Sequence, residues 1–263
     1  ATVTGHLGSG SGQSVNPRTA IDMGIDRIEH FLGGAQLPDT AGAYDALPTA
    51  TPDEPAFDRI ARHFREHNVY FDATISAYGY YGTRESDVYA DWPDAQQYFT
   101  PYLRSVLAEE DYQEAVPRFQ RIFEVKLDRI KAFYEAGGGD LITLGTDHPS
   151  WGEYLAPFGV HRELQAFVRA GIPEAAALRI ATINGARAVG RGDRLGTLAV
   201  GKWADLFVVR GNPLADIRNT RNVEWVMVRG DLHRAAALRE AARGTVGPDD
   251  AAAAEAFKPD RGP

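Results

Sequence analysis

Residues 141–152 read LITLGTDHPSWG, an apolar run that stops abruptly at Gly145-Thr146-Asp147-His148. The apolar run indicates a buried strand of a parallel sheet, because strands covered on both faces are apolar throughout. Asp and Gly are common loop residues, so an ordinary strand end accounts for the polar residues. A second interpretation is that a carboxylate beside an imidazole marks the mouth of an active site. The rest of the sequence has to decide between these two interpretations.

Short strand candidates alternate with helical segments on both sides of this stretch. Four strand–helix units in succession predict a parallel sheet or a barrel. The predicted strands are 2–6, 26–30, 69–75 and 140–146, and the predicted helices are 16–24, 53–68, 112–138, 160–170 and 173–188.

Three regions of the chain differ in character. Residues 1–193 carry the strand–helix alternation, residues 194–233 have short strands with tight glycine turns, and residues 234–263 predict an alanine-rich surface helix and a loose tail. Within the first region, residues 76–111 form an aromatic and polar insertion. A segment of this length is either a lid or binding loop or a surface decoration.

The composition excludes several classes of protein. The chain has no cysteine, so it has no disulfides or thiolates, and any metal must bind His, Asp or Glu. The net charge of -8 argues against a nucleic-acid partner, which usually requires a basic face. No apolar run reaches about 18 residues, so no segment is expected to span a membrane. The cellular compartment stays open, because an absence of cysteine suits reducing and oxidising surroundings alike.

Five segments occur in an informative order. They are VTGHLG (3–8), GIDRIEH (24–30), LGTDH (144–148), AGIPEAAALRIATINGARAVG (170–190) and DRLGTLAVGKWADLFVVRGNPLADI (193–217). Together, over about residues 1–230, they resemble the C-terminal part of the metal-dependent amidohydrolase superfamily, in its imidazolonepropionase-like and prolidase-like branch. The last segment is the most specific, whereas GTD alone carries little weight.

The resemblance implies an α/β fold, namely the C-terminal half of a (β/α)₈ TIM-type barrel (strands 5–8) with part of a small β-sandwich. Metal ligands in this family lie at the carboxyl ends of barrel strands, where this fold keeps its chemistry. By resemblance, His6 and His30 are metal ligands that end the fifth and sixth strands. Asp147 matches the acid that ends the eighth strand, as a ligand and as the catalytic proton acceptor. The implied cofactor is Zn²⁺ or another divalent metal, as one or two ions.

These residue types also suit metal-dependent hydrolysis on chemical grounds. Imidazole and carboxylate bind Zn²⁺, and a catalytic zinc keeps one position open for water. The ion lowers the pKa of that water to about 7, and a nearby carboxylate can accept its proton and pass it to the leaving group. With the resemblance, this predicts cleavage of a C–N bond in an amide, cyclic amide or peptide. The expected partner is a small-molecule or dipeptide-like substrate.

Two features of the family are missing from the sequence. No two of the seven histidines are separated by a single residue, so there is no His-x-His pair, and none of the four lysines ends a predicted strand. An eight-stranded barrel takes roughly 250 residues, whereas four units are found here. We therefore expect a fragment of a longer enzyme with an incomplete site. An isolated half-barrel exposes sheet edges, so a missing N-terminal half or a homo-oligomer partner is expected.

Two rival interpretations remain open. HFREH (63–67) fits the H-x-x-E-H pattern of a zinc protease, with His63 and His67 on one helix turn. Polar residues on a solvated helix face explain the same pattern. The other rival is a catalytically inert barrel half that is kept for assembly.

Further residues are candidates for substrate binding. Tyr78 and Tyr80 suit a pocket wall, although packing inside the insertion explains them as well. His148 either orients the substrate or forms a loop hydrogen bond. His161 and Glu163 begin a helix just beyond the mouth, where a capping role is expected rather than a catalytic one.

Overall fold

Four parallel strands form the sheet that organises the larger part of the chain. The computed structural model describes residues 2–7, 15, 17–30, 54–83, 94–109, 116–148 and 158–257. Within them the parallel strands are β1 (Thr4–His6), β2 (Arg27–Glu29), β3 (Tyr70–Asp72) and β4 (Ile142–Thr143). The order in the sheet is the order in the chain. This confirms the α/β fold with a parallel sheet that the sequence predicts.

Helices alternate with these strands. In chain order they are α1 (Pro17–Asp22), α2 (Glu54–Glu66), α3 (Ile75–Thr83), α4 (Pro101–Leu107), α5 (Pro117–Phe133), α6 (Gly159–Arg169), α7 (Glu174–Arg179) and α8 (Gly185–Ala188). A π-helical turn, Tyr134–Gly138, and a 3₁₀ turn, Gly139–Leu141, lead from α5 into β4. Strand β4 is therefore shorter than the segment 140–146 that the sequence suggests.

The register brings the strand ends level with one another. His6 pairs with Glu29, Glu29 pairs with Asp72, and Asp72 pairs with Thr143. Because all four strands run in the same direction, the residues that end them lie along one edge of the sheet. The polar residues after each strand therefore share that edge.

The core forms where helices pack on this sheet. Helix α5 buries Ile122, Phe123 and Ile130 on one side, as its apolar spacing predicts. The Phe133 ring lies 5.3 Å from that of Phe64 on α2 and 5.9 Å from that of Phe71 on β3. Full burial of one such side chain contributes about 1.5–3 kcal/mol. These contacts fix the helices against the sheet.

The predicted insertion, residues 76–111, is partly helical. Helix α3 occupies its beginning, and a 3₁₀ turn (Ala95–Tyr98) and helix α4 follow, while 84–93 and 110–111 lie outside the described residues. Helix α3 was not predicted from the sequence, because Ser76, Ala77 and Tyr78 are all buried. A helix that is buried on most sides lacks the one-sided apolar spacing that identifies a surface helix. A lid role for this segment stays a prediction.

A small antiparallel sheet and two short helices complete the described chain. The sheet consists of β5 (Leu206–Val209), β6 (Val223–Val228) and β7 (Asp231–Arg234), in that order. Helices α9 (Ala235–Ala241) and α10 (Ala251–Phe257) follow. No helix in the described part of the chain has both the length and the apolar character needed to cross a membrane.

Candidate active site at the carboxyl ends of the parallel strands

Two histidines meet at the edge where the parallel strands end. His6 is the last residue of β1, and His30 directly follows β2. Their ring centroids lie 4.3 Å apart with an interplanar angle of 69°. His6 is exposed, whereas His30 is buried. The structure therefore brings together two of the three residues that the sequence predicts as metal ligands.

The surroundings of His30 fix which of its ring nitrogens carries the proton. The Thr74 hydroxyl donates its hydrogen to the Ala73 carbonyl over 2.8 Å. It must therefore accept the hydrogen bond that joins it to Nδ1 of His30, because a hydroxyl has a single hydrogen. His30 thus carries its proton on Nδ1 and its lone pair on Nε2. A metal-binding histidine is commonly held in this way.

Burial shifts both imidazoles of the pair toward the neutral form. Burial, with the nearby Lys126 and His6 adding to it, lowers the pKa of His30 to about 2. Burial also lowers the pKa of His6, while the Asp147 carboxylate opposes that shift. Only a neutral imidazole offers a lone pair to a metal, so the pair is in the form that metal binding requires.

Asp147 sits beyond the end of β4 and faces the same cluster. Its carboxylate is exposed, and its charge acts on His6 and on Lys126. The backbone of Asp147 is left-handed (φ 53°), as are those of His30 (φ 65°) and Thr74 (φ 45°). Non-glycine residues rarely adopt this conformation, and strained backbone concentrates at functional sites.

Lys126 enters the cluster from helix α5, and sequence reasoning missed it. Its side chain is buried; Nζ donates to the backbone carbonyl of His30 and lies 4.5 Å from the Tyr78 ring centroid. Burial lowers the pKa of Lys126 to about 7, against the attraction of Glu163, Asp72 and Asp147. No sequence signal separates this lysine from other helical lysines. Its burial is decided by where α5 packs.

Asp72, the last residue of β3, is a second residue of the cluster that sequence reasoning did not single out. Burial raises its pKa to about 7, with Glu29 and Glu163 adding to the effect and Arg27 opposing it. Its carboxylate lies against Gly145, where any Cβ would collide with it. The glycine of the GTDH stretch is therefore required by a neighbouring strand. The position of Asp72 at a strand end is the signal that could have identified it.

Glu163 has the capping role that its position suggested, but for a different helix. Its carboxylate accepts the backbone N–H groups of Ile75 over 2.8 Å and Ser76 over 2.7 Å, at the first turn of α3. These groups have no partner within a helix, and a carboxylate satisfies them. Burial raises the pKa of Glu163, and the two backbone hydrogen bonds oppose that shift. Glu163 thereby ties α6 to α3 below the mouth.

The predicted substrate-binding residues lie at different distances from the histidine pair. The Tyr78 ring is buried, with its centroid 6.2 Å from that of His30. Tyr80 is half-buried and packs against the hydrophobic core. Desolvation lowers the pKa of His148, which follows Asp147. The stretch 149–157, which includes Trp151, lies outside the described residues.

The donor atoms at the mouth are of the types that bind a divalent ion, but three of them do not lie close enough together to form one site. Among the described residues, the group of three whose ligand atoms all lie within 4.8 Å of one another is Asp22, His63 and His67. His6, His30 and Asp147 do not meet that limit together. The neutral histidine pair and the Nδ1–Thr74 bond of His30 fit a divalent ion.

Comparison with known proteins assigns the family. The family model described as "Amidohydrolase family" matches residues 1–233. The chain belongs to the amidohydrolase family. This confirms the resemblance that the five ordered segments carry. A search of curated proteins gave no significant match to this amidohydrolase.

Solved structures share the fold of this amidohydrolase at low sequence identity. A Xaa-Pro dipeptidase with bound methionine has 24% identity and a TM-score of 0.53, over 82% of this chain and 41% of its own. Molinate hydrolase and A. niger ochratoxinase each have 21% identity and a TM-score of 0.53, over 89% of this chain and 43% and 42% of theirs. The amidohydrolase chain therefore spans about two-fifths of the length of the structures it matches.

Proposed function

We propose that this chain supplies part of the active site of a metal-dependent hydrolase that cleaves a C–N bond in an amide, cyclic amide or peptide. Membership of the amidohydrolase family supports hydrolysis. The observation that carries the proposal is the pairing of His6 with His30, 4.3 Å apart at the strand ends and electrically neutral. Similar folds in a dipeptidase and in molinate hydrolase agree with it.

The four parallel strands correspond, in this proposal, to strands 5–8 of a (β/α)₈ barrel, and the antiparallel sheet to part of a β-sandwich. The coverage of about two-fifths of the similar structures supports this assignment. The remaining ligands, a His-x-His pair and a strand-ending lysine, would come from an N-terminal half or a partner. The chain alone would then hold an incomplete site.

Each residue of the mouth has a role in this proposal. His6 and His30 present ring nitrogens to a divalent ion, which would supply a water of lowered pKa and polarise the scissile carbonyl. Asp147 accepts a proton from the attacking water and returns it to the leaving nitrogen. Lys126 is a positioning residue, because it holds the backbone carbonyl of His30.

The substrate class proposed here is supported by one similar structure and by the aromatic ring of Tyr78 beside the histidine pair. A Xaa-Pro dipeptide is the first substrate to test, because a dipeptidase shares the fold. Tyr78, beside His30, gives an apolar surface on which a substrate ring can pack. His148 and Tyr80 are further candidates for substrate contact.

The test is hydrolysis by the complete protein, loaded with Zn²⁺, of a panel of Xaa-Pro dipeptides and aryl amides. Replacing His6 and His30 together by alanine should lower kcat/KM by about 1,000-fold and remove the bound zinc. Asp147→Asn should lower kcat by at least about 100-fold while zinc stays bound. His233→Ala, on β7, is the matched control. Unchanged turnover in the His6 and His30 double variant would refute the proposal.

The second candidate is an inert barrel half that serves assembly. Two observations favour it. The ligand atoms of His6, His30 and Asp147 do not all lie within 4.8 Å of one another, and the chain covers only 41% of the similar dipeptidase structure. Absence of zinc and of hydrolysis in the complete protein would support this candidate. Stoichiometric zinc with turnover would exclude it.

A further inference from the structure

A second group of metal-ligating side chains lies at the end of the sheet opposite the mouth. Asp22 is the last residue of α1, and His63 lies near the end of α2, with His67 just beyond it. The strands β2 and β3 begin shortly after these helices end. The mouth residues follow the carboxyl ends of the strands, so this group, the Asp22–His63–His67 cluster, faces the amino ends.

The three side chains converge although they come from two helices. The ring centroids of His63 and His67 lie 4.5 Å apart, as expected for residues four positions apart on a helix. Nε2 of His63 lies 3.1 Å from Oδ1 of Asp22. One ligand atom from each of the three residues lies within 4.8 Å of the other two.

The hydrogen bonding of His67 is that of a metal ligand. Nδ1 of His67 lies 3.0 Å from the backbone carbonyl of His63 and must donate to it, because a carbonyl only accepts. When the ring is neutral, its lone pair is therefore on Nε2. Metal-binding histidines are commonly oriented by such a carbonyl. The sequence alone shows the spacing of the histidines but not this bond.

The side chain of His63 gives a second, independent observation that points to a ligand. Its Nε2 atom is buried and makes no hydrogen bond in the described part of the chain, although the Asp22 carboxylate is 3.1 Å away. Buried polar atoms are nearly always satisfied. A separation of 3.1 Å matches two ligand atoms that share one ion, since bonds of about 2.0–2.1 Å place adjacent ligands roughly 3 Å apart.

We propose that Asp22, His63 and His67 bind one divalent transition-metal ion of the Zn²⁺ class, with water in the remaining positions. Two imidazoles and one carboxylate, without thiolate, suit Zn²⁺, Co²⁺ or Ni²⁺ better than Mg²⁺ or Ca²⁺. The ion joins α1 to α2 and so connects two successive strand–helix units. We assign the ion a structural role. In barrels of parallel strands the chemistry lies at the carboxyl ends, whereas the face at the amino ends contributes to stability.

This site differs from the zinc-protease interpretation of HFREH in its third ligand and in Glu66. The structure brings Asp22 from another helix to the histidines, so the group is complete without Glu66 as a base. Glu66→Gln is therefore a discriminating variant. It leaves zinc binding and every hydrolytic activity unchanged if the ion is structural, whereas a protease would lose its activity.

The test is zinc stoichiometry in the purified protein, stripped of metal and then titrated with Zn²⁺ alone. His63→Ala combined with His67→Ala should lower the zinc content by one ion per chain. Asp22→Asn should lower the affinity for that ion by at least about 10-fold. His233→Ala, an exposed histidine on β7, is the matched control. The His6 and His30 double variant should keep this ion, so failure here is distinguishable from failure of the proposed function.

Thermal unfolding supplies a readout that does not depend on activity. In the His6 and His30 double variant, Zn²⁺ at a hundredfold excess over Kd should raise Tm by about 5 °C. The shift should vanish when His63 and His67 are also replaced by glutamine, with an unchanged circular dichroism spectrum. An unchanged zinc content or an unchanged Tm shift in the His63 and His67 variants would overturn the proposal.

Discussion

The two histidine groups of this protein are positioned by different kinds of contact. At the mouth, His6 and His30 come from the ends of different strands, and the buried Lys126 donates to the backbone carbonyl of His30. At the other end, the half-buried His63 and the exposed His67 lie one helical turn apart, and the exposed Asp22 carboxylate lies 3.1 Å from Nε2 of His63. Changes at the mouth should therefore cost folding stability as well as chemistry. Changes at the Asp22–His63–His67 cluster should cost metal binding, and should cost folding stability only when the ion is bound.

The largest loss of stability is expected from Lys126→Met. Removing this buried cation leaves the Glu163 carboxylate without its compensating charge, which costs about 3–5 kcal/mol. The measurement is the free energy of unfolding from urea denaturation, read by circular dichroism. Lys131→Met is the matched control on the same helix, because Lys131 makes an exposed ion pair with Glu135. Its effect should stay within about 0.5 kcal/mol. Equal losses of unfolding free energy in the two variants would show that the buried charge at the mouth has no special weight in stability.

A half-buried histidine outside both groups, His161, tests how desolvation acts on an imidazole. His161 bonds Thr220 over 3.1 Å, and burial, with Arg221 adding to it, lowers its pKa from 6.5 to about 4. The unfolded chain then binds more protons than the folded one below pH 6.5, so stability is fully present above that pH. It is lost as pH falls from about 6.5 to about 4, by up to about 3 kcal/mol.

His161→Gln should flatten that dependence, because glutamine keeps a hydrogen bond to Thr220 but does not titrate. The comparison is the free energy of unfolding at pH 7 and at pH 5, in the wild type and in the variant. If the free energy of unfolding changes by the same amount between pH 7 and pH 5 in both proteins, His161 is not the group responsible. That result would also count against burial as the cause of the lowered pKa of His30.

A smaller loss is expected from Glu163→Gln. The amide keeps one oxygen for the backbone N–H groups of Ile75 and Ser76 but loses the charge, which should cost about 2 kcal/mol. Hydrogen exchange should show faster opening of the first turn of α3. Glu174→Gln is the control, since Glu174 lies in the first turn of α7 and is partly exposed. Unaltered exchange in α3 would count against Glu163 as the link between α6 and α3.

The smallest effect is expected at the Asp22–His63–His67 cluster without metal. Replacing His63 and His67 by glutamine should change the free energy of unfolding by less than about 0.5 kcal/mol in the presence of a chelator, because surface substitutions are usually near neutral. With Zn²⁺ added, the variant should become the less stable protein. A large loss in the chelated protein would show that the histidines pack rather than bind.

The sequence by itself determined the order of the strands and the residues that end them. Apolar stretches interrupted by Gly, Asp and His predicted β1 to β4 and placed His6, His30 and Asp147 at strand ends, because parallel strands carry their loop residues at one edge. The i, i+4 spacing of His63 and His67 was equally visible. Local spacing along the chain is sufficient for such features.

Only the tertiary structure decided which side chains join these positions. Lys126 looked like an ordinary helical lysine until the packing of α5 buried it beneath His30, and Asp22 had no sequence relation to His63. Helix α3 escaped prediction because it is buried on most sides. Burial and contact between distant segments depend on how helices pack on the sheet, and a single sequence carries no direct record of that packing.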